Sequence, residues 1–285
     1  MHLVTGASSG IGRALALELL AAGCDVIVAG RNVAAMEALR AETSAAAAQR
    51  LRVHDLDVSS PASVERLAAK LARDCVRLRA LVNNAGVSMT REQRAEDGAE
   101  QTWAVNVRGT FLMTRTLLRA GVFVPGAQVL NVASRLHADK LSHEHARGTA
   151  VFSIRDSYLQ SKLCTILLAR GQSAEAAAAG VRINAAHPGI VRSNLGNDSW
   201  FARIVGRTAG LLLPPATKGA RCLVEVMRAV DASGCSGMYF EEALEKSLTY
   251  AGDLNADAAW LVEALSTPMV RAHQARARAG TADVA

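Results

Sequence analysis

The chain has 285 residues, half of them apolar and only 4% aromatic, with a net charge of +6 at neutral pH. That length can bury the core of one large α/β domain, and the positive charge is scattered, with no Lys/Arg run and no basic, aromatic-rich strand, so no nucleic-acid partner is expected. No apolar run reaches the ~18 residues that span a bilayer, and the five cysteines form no CxxC pair or metal-like spacing, which predicts reduced thiols in a cytoplasmic protein with no leader and no metal.

His2 to Val4 is a short apolar strand feeding a glycine-rich turn, and Ile11 to Ala22 carries Leu15, Leu19 and Leu20 at helical spacing before Gly23 stops it. Val26 to Ala29 reads as a second buried strand, Val33 to Ala48 as an alanine-rich helix, and Leu51 to Asp55 as a third strand. Ser60 and Pro61 supply an N-cap and a first-turn proline for the next helix. Leu78 to Asn83 is a fourth strand, Glu100 to Ala120 a long helix, Gln128 to Ala133 a fifth strand, Ser157 to Ala178 another long helix, and Val181 to Ala186 a sixth strand. Thr217 to Val230 is helical and Gly237 to Phe240 is a short last strand. This alternation predicts βαβ units in a single domain over 1–285: a doubly wound parallel sheet with helices on both faces, the Rossmann arrangement. The segment 271–285 is polar and aperiodic and is expected to fray.

The turn after the first strand reads Thr5-Gly6-Ala7-Ser8-Ser9-Gly10-Ile11-Gly12. Glycines in such a strand–turn–helix give a tight turn, close backbone approach to a pyrophosphate and close helix–sheet packing, with helix amides facing the phosphates. The TGxxxGxG spacing resembles that of the short-chain dehydrogenase/reductase family. Further motifs follow in order: Asn83-Asn84-Ala85-Gly86, Asn106 within WAVNVRGTF, Ser134 at the end of NVAS, Tyr158 and Lys162 in YxxxK, and Pro188-Gly189. The resemblance covers nearly the whole chain.

What the resemblance implies for the cofactor is a nicotinamide dinucleotide held by Gly6, Ser8, Ser9, Gly10, Ile11 and Gly12, by Asn84, Ala85 and Gly86, by Tyr158 and Lys162, the latter on the ribose hydroxyls, and by Pro188, Gly189, Ile190 and Ser193. Which nicotinamide turns on the end of the second strand, where an acid would accept a ribose hydroxyl. Here Gly30-Arg31-Asn32 offers no carboxylate, and Arg31 can fork onto a 2′-phosphate, so NADP(H) is favoured. The alternative for Arg31 is a solvated loop cation. Many NADP-dependent members carry a basic residue where this chain has Ser9. Asp57 and Val58 resemble the family's adenine contact, although Asp57 could equally be an exposed loop acid.

A free tyrosine, with a pKa near ~10, exchanges protons poorly at neutral pH unless a cation sits beside it. Tyr158 and Lys162 are four apart, one helical turn. Ser134 can steady charge on a substrate oxygen, and Asn106 matches the family residue whose helix kink holds a water in the proton relay. The four catalytic candidates are therefore Asn106, Ser134, Tyr158 and Lys162.

Tyr158 follows Ser134 by 24 positions, against about a dozen in many family members. This insertion, with NVxSxxH ending at His137, the run Ser161-Lys162-Leu163, and His187-Pro188-Gly189 before Ser193-Asn194-Leu195, resembles the branch of retinol dehydrogenases and protochlorophyllide reductases. Light-driven protochlorophyllide reduction is not expected, because cysteines are few around the site. The segment 194–215, with Trp200, Phe201 and Leu211 to Pro215, either forms an apolar substrate lid or packs on the core. His143 and His145 read as solvated loop histidines rather than metal ligands. The expected activity is NADP(H)-dependent carbonyl reduction or alcohol oxidation on a bulky apolar or aromatic substrate. A non-catalytic NADP sensor would typically have lost Tyr158 or Lys162, and an epimerase or dehydratase usually carries more chain after Pro188-Gly189. In many relatives the two long helices form a dimer interface, so a homodimer is expected, although the insertion before Tyr158 could block it.

Overall fold

The computed structural model describes residues 1–191 and 213–267. Ser193, most of the segment 194–215 and the segment 271–285 lie outside the described residues. Eight strands form one sheet: β1 (His2–Thr5), β2 (Val26–Gly30), β3 (Leu51–Asp55), β4 (Leu78–Asn83), β5 (Phe123–Val132), β6 (Arg182–His187), β7 (Tyr239–Glu241) and β8 (Leu244–Glu245). Their order is β3-β2-β1-β4-β5-β6-β7-β8, all neighbours parallel except the last pair. The order reverses at β1 and β4, the switch point at which such sheets open a crevice at their carboxyl ends.

The helices are α1 (Gly10–Ala21), α2 (Val33–Glu37), α3 (Ala45–Ala48), α4 (Pro61–Arg73), α5 (Gln101–Trp103), α6 (Thr110–Arg119), α7 (His143–Ala146), α8 (Ile154–Gly171), α9 (Ser173–Ala178), α10 (Ala216–Ser233) and α11 (Leu254–Ser266). One face of the sheet buries Leu67 and Leu71 of α4, Met113 and Leu117 of α6, and Ile166 of α8. The other buries Leu15 and Leu19 of α1, Met36 of α2, and Leu223 and Val226 of α10. This is the doubly wound α/β fold that the alternation predicts.

Several boundaries differ from the sequence reading. The helix expected over 33–48 is three pieces. Ser44 caps a new turn by accepting from the Ala47 amide at 3.3 Å, competing with continuation of the helix. The strand expected over 128–133 runs from Phe123 to Val132, with Pro125-Gly126 inside it. The helix expected over 157–178 starts at Ile154 under a Ser153 cap and stops at Gly171, with α9 a separate element after Gln172. Within the long helix over 101–119, residues Ala104–Gly109 form a π-helical segment, a bulge that such helices often carry at functional sites.

The sequence reading did not anticipate β8 or α11. Asp253 caps α11 by accepting from Asn255 and Ala256 amides, both at 3.0 Å. α11 crosses α8 closely because residue 171 is glycine: a side-chain carbon there would sit 2.8 Å from Val262 Cγ2. Ala258 and Leu261 of α11 then join Leu163, Leu167 and Leu168 of α8, with Trp103 and Phe111, in an outer apolar cluster. The insertion docks on the same cluster. Trp103 Nε1 donates to the Ala146 carbonyl at 2.8 Å, and His143 stacks on Trp260 of α11 with ring centroids 3.9 Å apart. His143 and His145 thus belong to a one-turn helix rather than a loop, and His143 stays exposed while stacking on Trp260.

Candidate active site

The carboxyl ends of the strands around the switch point open into a cleft of about 780 Å³. Its wall starts at the turn after β1. Gly6 has φ +68°, a left-handed conformation that glycine adopts without strain, and a Cβ there would lie 2.8 Å from Ala85 Cα. At Gly12 a Cβ would fall on the Asn84 amide nitrogen. The two loops are stitched together by polar contacts. Thr5 Oγ1 accepts from the Asn84 and Ala85 amides at 3.1 and 3.0 Å, and Asn84 Nδ2 donates to the Thr5 carbonyl at 2.8 Å. No side chain caps the first turn of α1, so its leading amides are left to face the cleft. Backbone cradle, helix N-terminus and cleft size fit the pyrophosphate of a dinucleotide.

Arg31 is exposed at the end of β2 and lines the cleft. Asn32, beside it, spends its side-chain oxygen on capping α2, accepting from the Ala35 amide at 3.0 Å. Asp57 also lines the cleft, and its Oδ1 accepts from the Ser59 amide and hydroxyl at 2.9 and 2.6 Å, which holds the loop carrying Val58.

At the other end of the cleft, Ser134, Tyr158 and Lys162 converge, each at most 8% exposed. Ser134 sits just past β5, and its Oγ accepts from the Leu136 amide at 3.0 Å, which turns the hydroxyl proton away from its own backbone. Burial pushes the Tyr158 phenol up, and the Ser134 hydroxyl near it draws it part of the way back down. Lys162 Nζ lies 5.9 Å from the Tyr158 ring centre and donates to the Val132 carbonyl at 3.0 Å. Burial pulls the Lys162 ammonium down to about 8, so it remains largely charged at neutral pH. A buried cation beside a buried phenol and a hydroxyl donor is an arrangement able to pass a proton to an oxygen held between them.

Asn106 lies in the π segment and does not line the cleft. Its side chain is fully committed: Oδ1 accepts from the Val87 amide at 2.8 Å, and Nδ2 donates to the Val87 carbonyl and to Ser161 Oγ, each at 2.9 Å. It ties the exit of the Asn84–Gly86 loop to α8, so any part it takes in a proton relay has to come from its main chain.

Of the site residues expected from sequence, then, the cleft is lined by all but three. Gly12 packs beneath Asn84, Asn106 stands behind Gly86, and Ser193 lies outside the described residues. Gly10, Ile11, Ser8, Ser9, Pro188, Gly189 and Ile190 all line it. The sequence reading missed the stitching role of Thr5, for which its place just before Gly6 was the available signal. It also missed His187. That residue lines the cleft at 5% exposure, and its Nε2 has no hydrogen-bond partner among the described residues. Burial, with the nearby Arg135 charge, pulls the imidazole down to about 4.

Residues 1–202 match the short chain dehydrogenase family model. The chain is 32% identical over 262 residues to retinol dehydrogenase 14 of Mus musculus, covering 86% of this chain and 78% of that one. It is 34% identical over 256 residues to polyprenol dehydrogenase of Mus musculus, covering 85% and 76%. A solved short chain dehydrogenase from Burkholderia cenocepacia J2315 in complex with NADP has a TM-score of 0.63 at 23% identity, over 84% of this chain and 94% of that one, and so shares the fold. Among the described residues no helix is long and apolar enough to cross a membrane.

Proposed function

The chain belongs to the short-chain dehydrogenase/reductase family, in its retinol dehydrogenase branch, and we propose that this oxidoreductase uses NADP(H) to interconvert a bulky apolar or aromatic ketone or aldehyde with its alcohol. The observation that carries the reading is the convergence of Ser134, Tyr158 and Lys162 at one end of a dinucleotide-sized cleft. The nicotinamide, when bound, supplies or accepts the hydride. In reduction, the Tyr158 hydroxyl gives its proton to the substrate oxygen while Ser134 donates a hydrogen bond to it. Lys162 stabilises the phenolate left behind. Asn106 holds the loop over Gly86 and Val87 in place.

Preference for NADP(H) over NAD(H) is supported by the exposed Arg31 in the cleft wall and by the lack of an acid over Gly30 to Asn32. An apolar substrate is supported by the names of the relatives, since retinol and polyprenol are both long apolar alcohols. A single domain over 1–285 remains part of the reading. Five cysteines without a disulfide support a reducing, cytoplasmic setting. A homodimer remains part of the reading, with its contact away from α8, whose outward apolar residues α11 and the insertion already cover.

Fluorescence titration with NADPH and NADH, followed by a screen of bulky ketones and aldehydes, tests the proposal. Much tighter NADPH binding and turnover of an apolar carbonyl are the expected results. Equal or tighter NADH binding would remove Arg31 from the phosphate site, and binding of neither would remove the catalytic assignment.

A further inference from the structure

Ser134 leaves the sheet with little to hold it. The last sheet bond on this side is the Ala133 amide to the Ala186 carbonyl at 2.8 Å, and the chain is next fixed on α8 by the Ala138 amide, which donates to the Leu159 carbonyl at 3.1 Å. Between these points lies Tyr239 of β7. Its hydroxyl is 3.1 Å from Glu241 Oε1 and 3.4 Å from the Ser134 carbonyl, so its proton can be shared between the two acceptors. The edge-on His137 ring, three residues after Ser134, meets the Tyr239 ring at 88° with centroids 6.1 Å apart. The ring is 5% exposed and lies on the α8 face of the sheet with Ala185, its register partner. Burial and the Glu241 charge both raise the Tyr239 phenol, so it stays protonated and remains a donor at every working pH.

We propose that Tyr239 is a positioning residue that fixes Ser134 against Tyr158. The proposal rests on the catalytic reading of Ser134 given above. Tyr239 does not face the reacting atoms. It grips the backbone of the residue that does, and the edge contact with His137 holds the following turn. A hydroxyl that drifts by a fraction of an ångström steadies the substrate oxygen less well, and small misplacements of a catalytic group are costly.

The test is a double-mutant cycle on carbonyl reduction. Tyr239→Phe keeps the ring and the His137 contact and removes only the hydroxyl. The expected result is a fall in kcat of about tenfold with the NADPH Kd within about twofold of wild type. In a Ser134→Ala background the same change should leave kcat within about twofold, because the hydroxyl acts only through Ser134. Glu241 competes with the Ser134 carbonyl for the single hydroxyl proton, so Glu241→Leu, which leaves that carbonyl as its acceptor, should retain kcat. A fall in kcat in Glu241→Leu would overturn the role of the hydroxyl, and this variant carries the test if Tyr239→Phe does not fold. A second readout needs no turnover: the alkaline absorbance titration of Tyr158 should move upward in Tyr239→Phe, as the nearby Ser134 hydroxyl that draws it down drifts away, and should not move in the Ser134→Ala background. An unchanged kcat in Tyr239→Phe, or an equal loss in both backgrounds, overturns the positioning role. Wild-type protein that turns over no carbonyl would instead count against the functional reading, with the Tyr158 titration still deciding the role of Tyr239.

Discussion

Replacing Asn106 with alanine removes a buried amide with three polar contacts, two of them to the partly buried Val87. Two of its partners are the Val87 amide and carbonyl, which have no substitute nearby if the site stays dry. The third, Ser161 Oγ, keeps its own bond to the Tyr158 carbonyl at 2.8 Å and loses less. Each of the two orphaned groups costs about 1–3 kcal/mol, so the expected destabilisation is about 2–6 kcal/mol. In a chain of this size that corresponds to a fall in melting temperature of roughly 3–10 °C. The same change frees Val87 next to Gly86, which lines the cleft, so NADPH binding should weaken together with stability. Urea unfolding of wild type and Asn106→Ala, followed by circular dichroism, measures the first effect, and nucleotide titration measures the second. A loss below about 0.5 kcal/mol would mean that water replaces the side chain at no cost, and would refute the account of Asn106 as a structural tie.

Tyr158→Phe should abolish turnover while leaving NADPH binding nearly intact; substantial residual activity would remove Tyr158 from proton transfer. Arg31→Asp should move the preference from NADPH towards NADH, read as the ratio of their dissociation constants, and an unchanged ratio would exclude Arg31 from the phosphate site. His187 predicts an acid-sensitive component of stability. Its folded pKa of about 4 lies below the unfolded value of 6.5, so folding favours the neutral ring. The contribution is present above pH 6.5 and is lost as pH falls towards 4, by at most about 3 kcal/mol. Unfolding free energies of wild type and His187→Gln between those pH values should converge as pH falls; parallel curves would show that His187 is not held neutral by the fold.

The parts of the site legible in sequence are those whose residues lie close together in the chain. The Gly6–Gly12 turn, the Asn84–Gly86 loop and the Tyr158–Lys162 turn each place their groups by local geometry, and each lies on the cleft. What escaped depends on partners distant in sequence. Nothing near Asn106 says that its side chain will be spent on Val87 and Ser161. Nothing near Gly171 says that a helix from the end of the chain will cross it. α11 presents only Ala258 and Leu261 as fully buried residues, too sparse a stripe to stand out by periodicity. The insertion before Tyr158 reads as a polar loop because, beyond the Ser142 cap, it is held by Trp103 and Trp260, which lie far from it in sequence.

The central claim is hydride transfer at the Ser134–Tyr158–Lys162 end of the cleft, and isotope transfer tests it most directly. NADPH carrying deuterium at the nicotinamide C4 would be incubated with a bulky apolar aldehyde or ketone and the purified chain, and the product alcohol read by mass spectrometry. The account predicts deuterium on the carbinol carbon with wild-type protein and none with Tyr158→Phe. Tight NADPH binding without label in the alcohol, across a panel of apolar carbonyls, would contradict it.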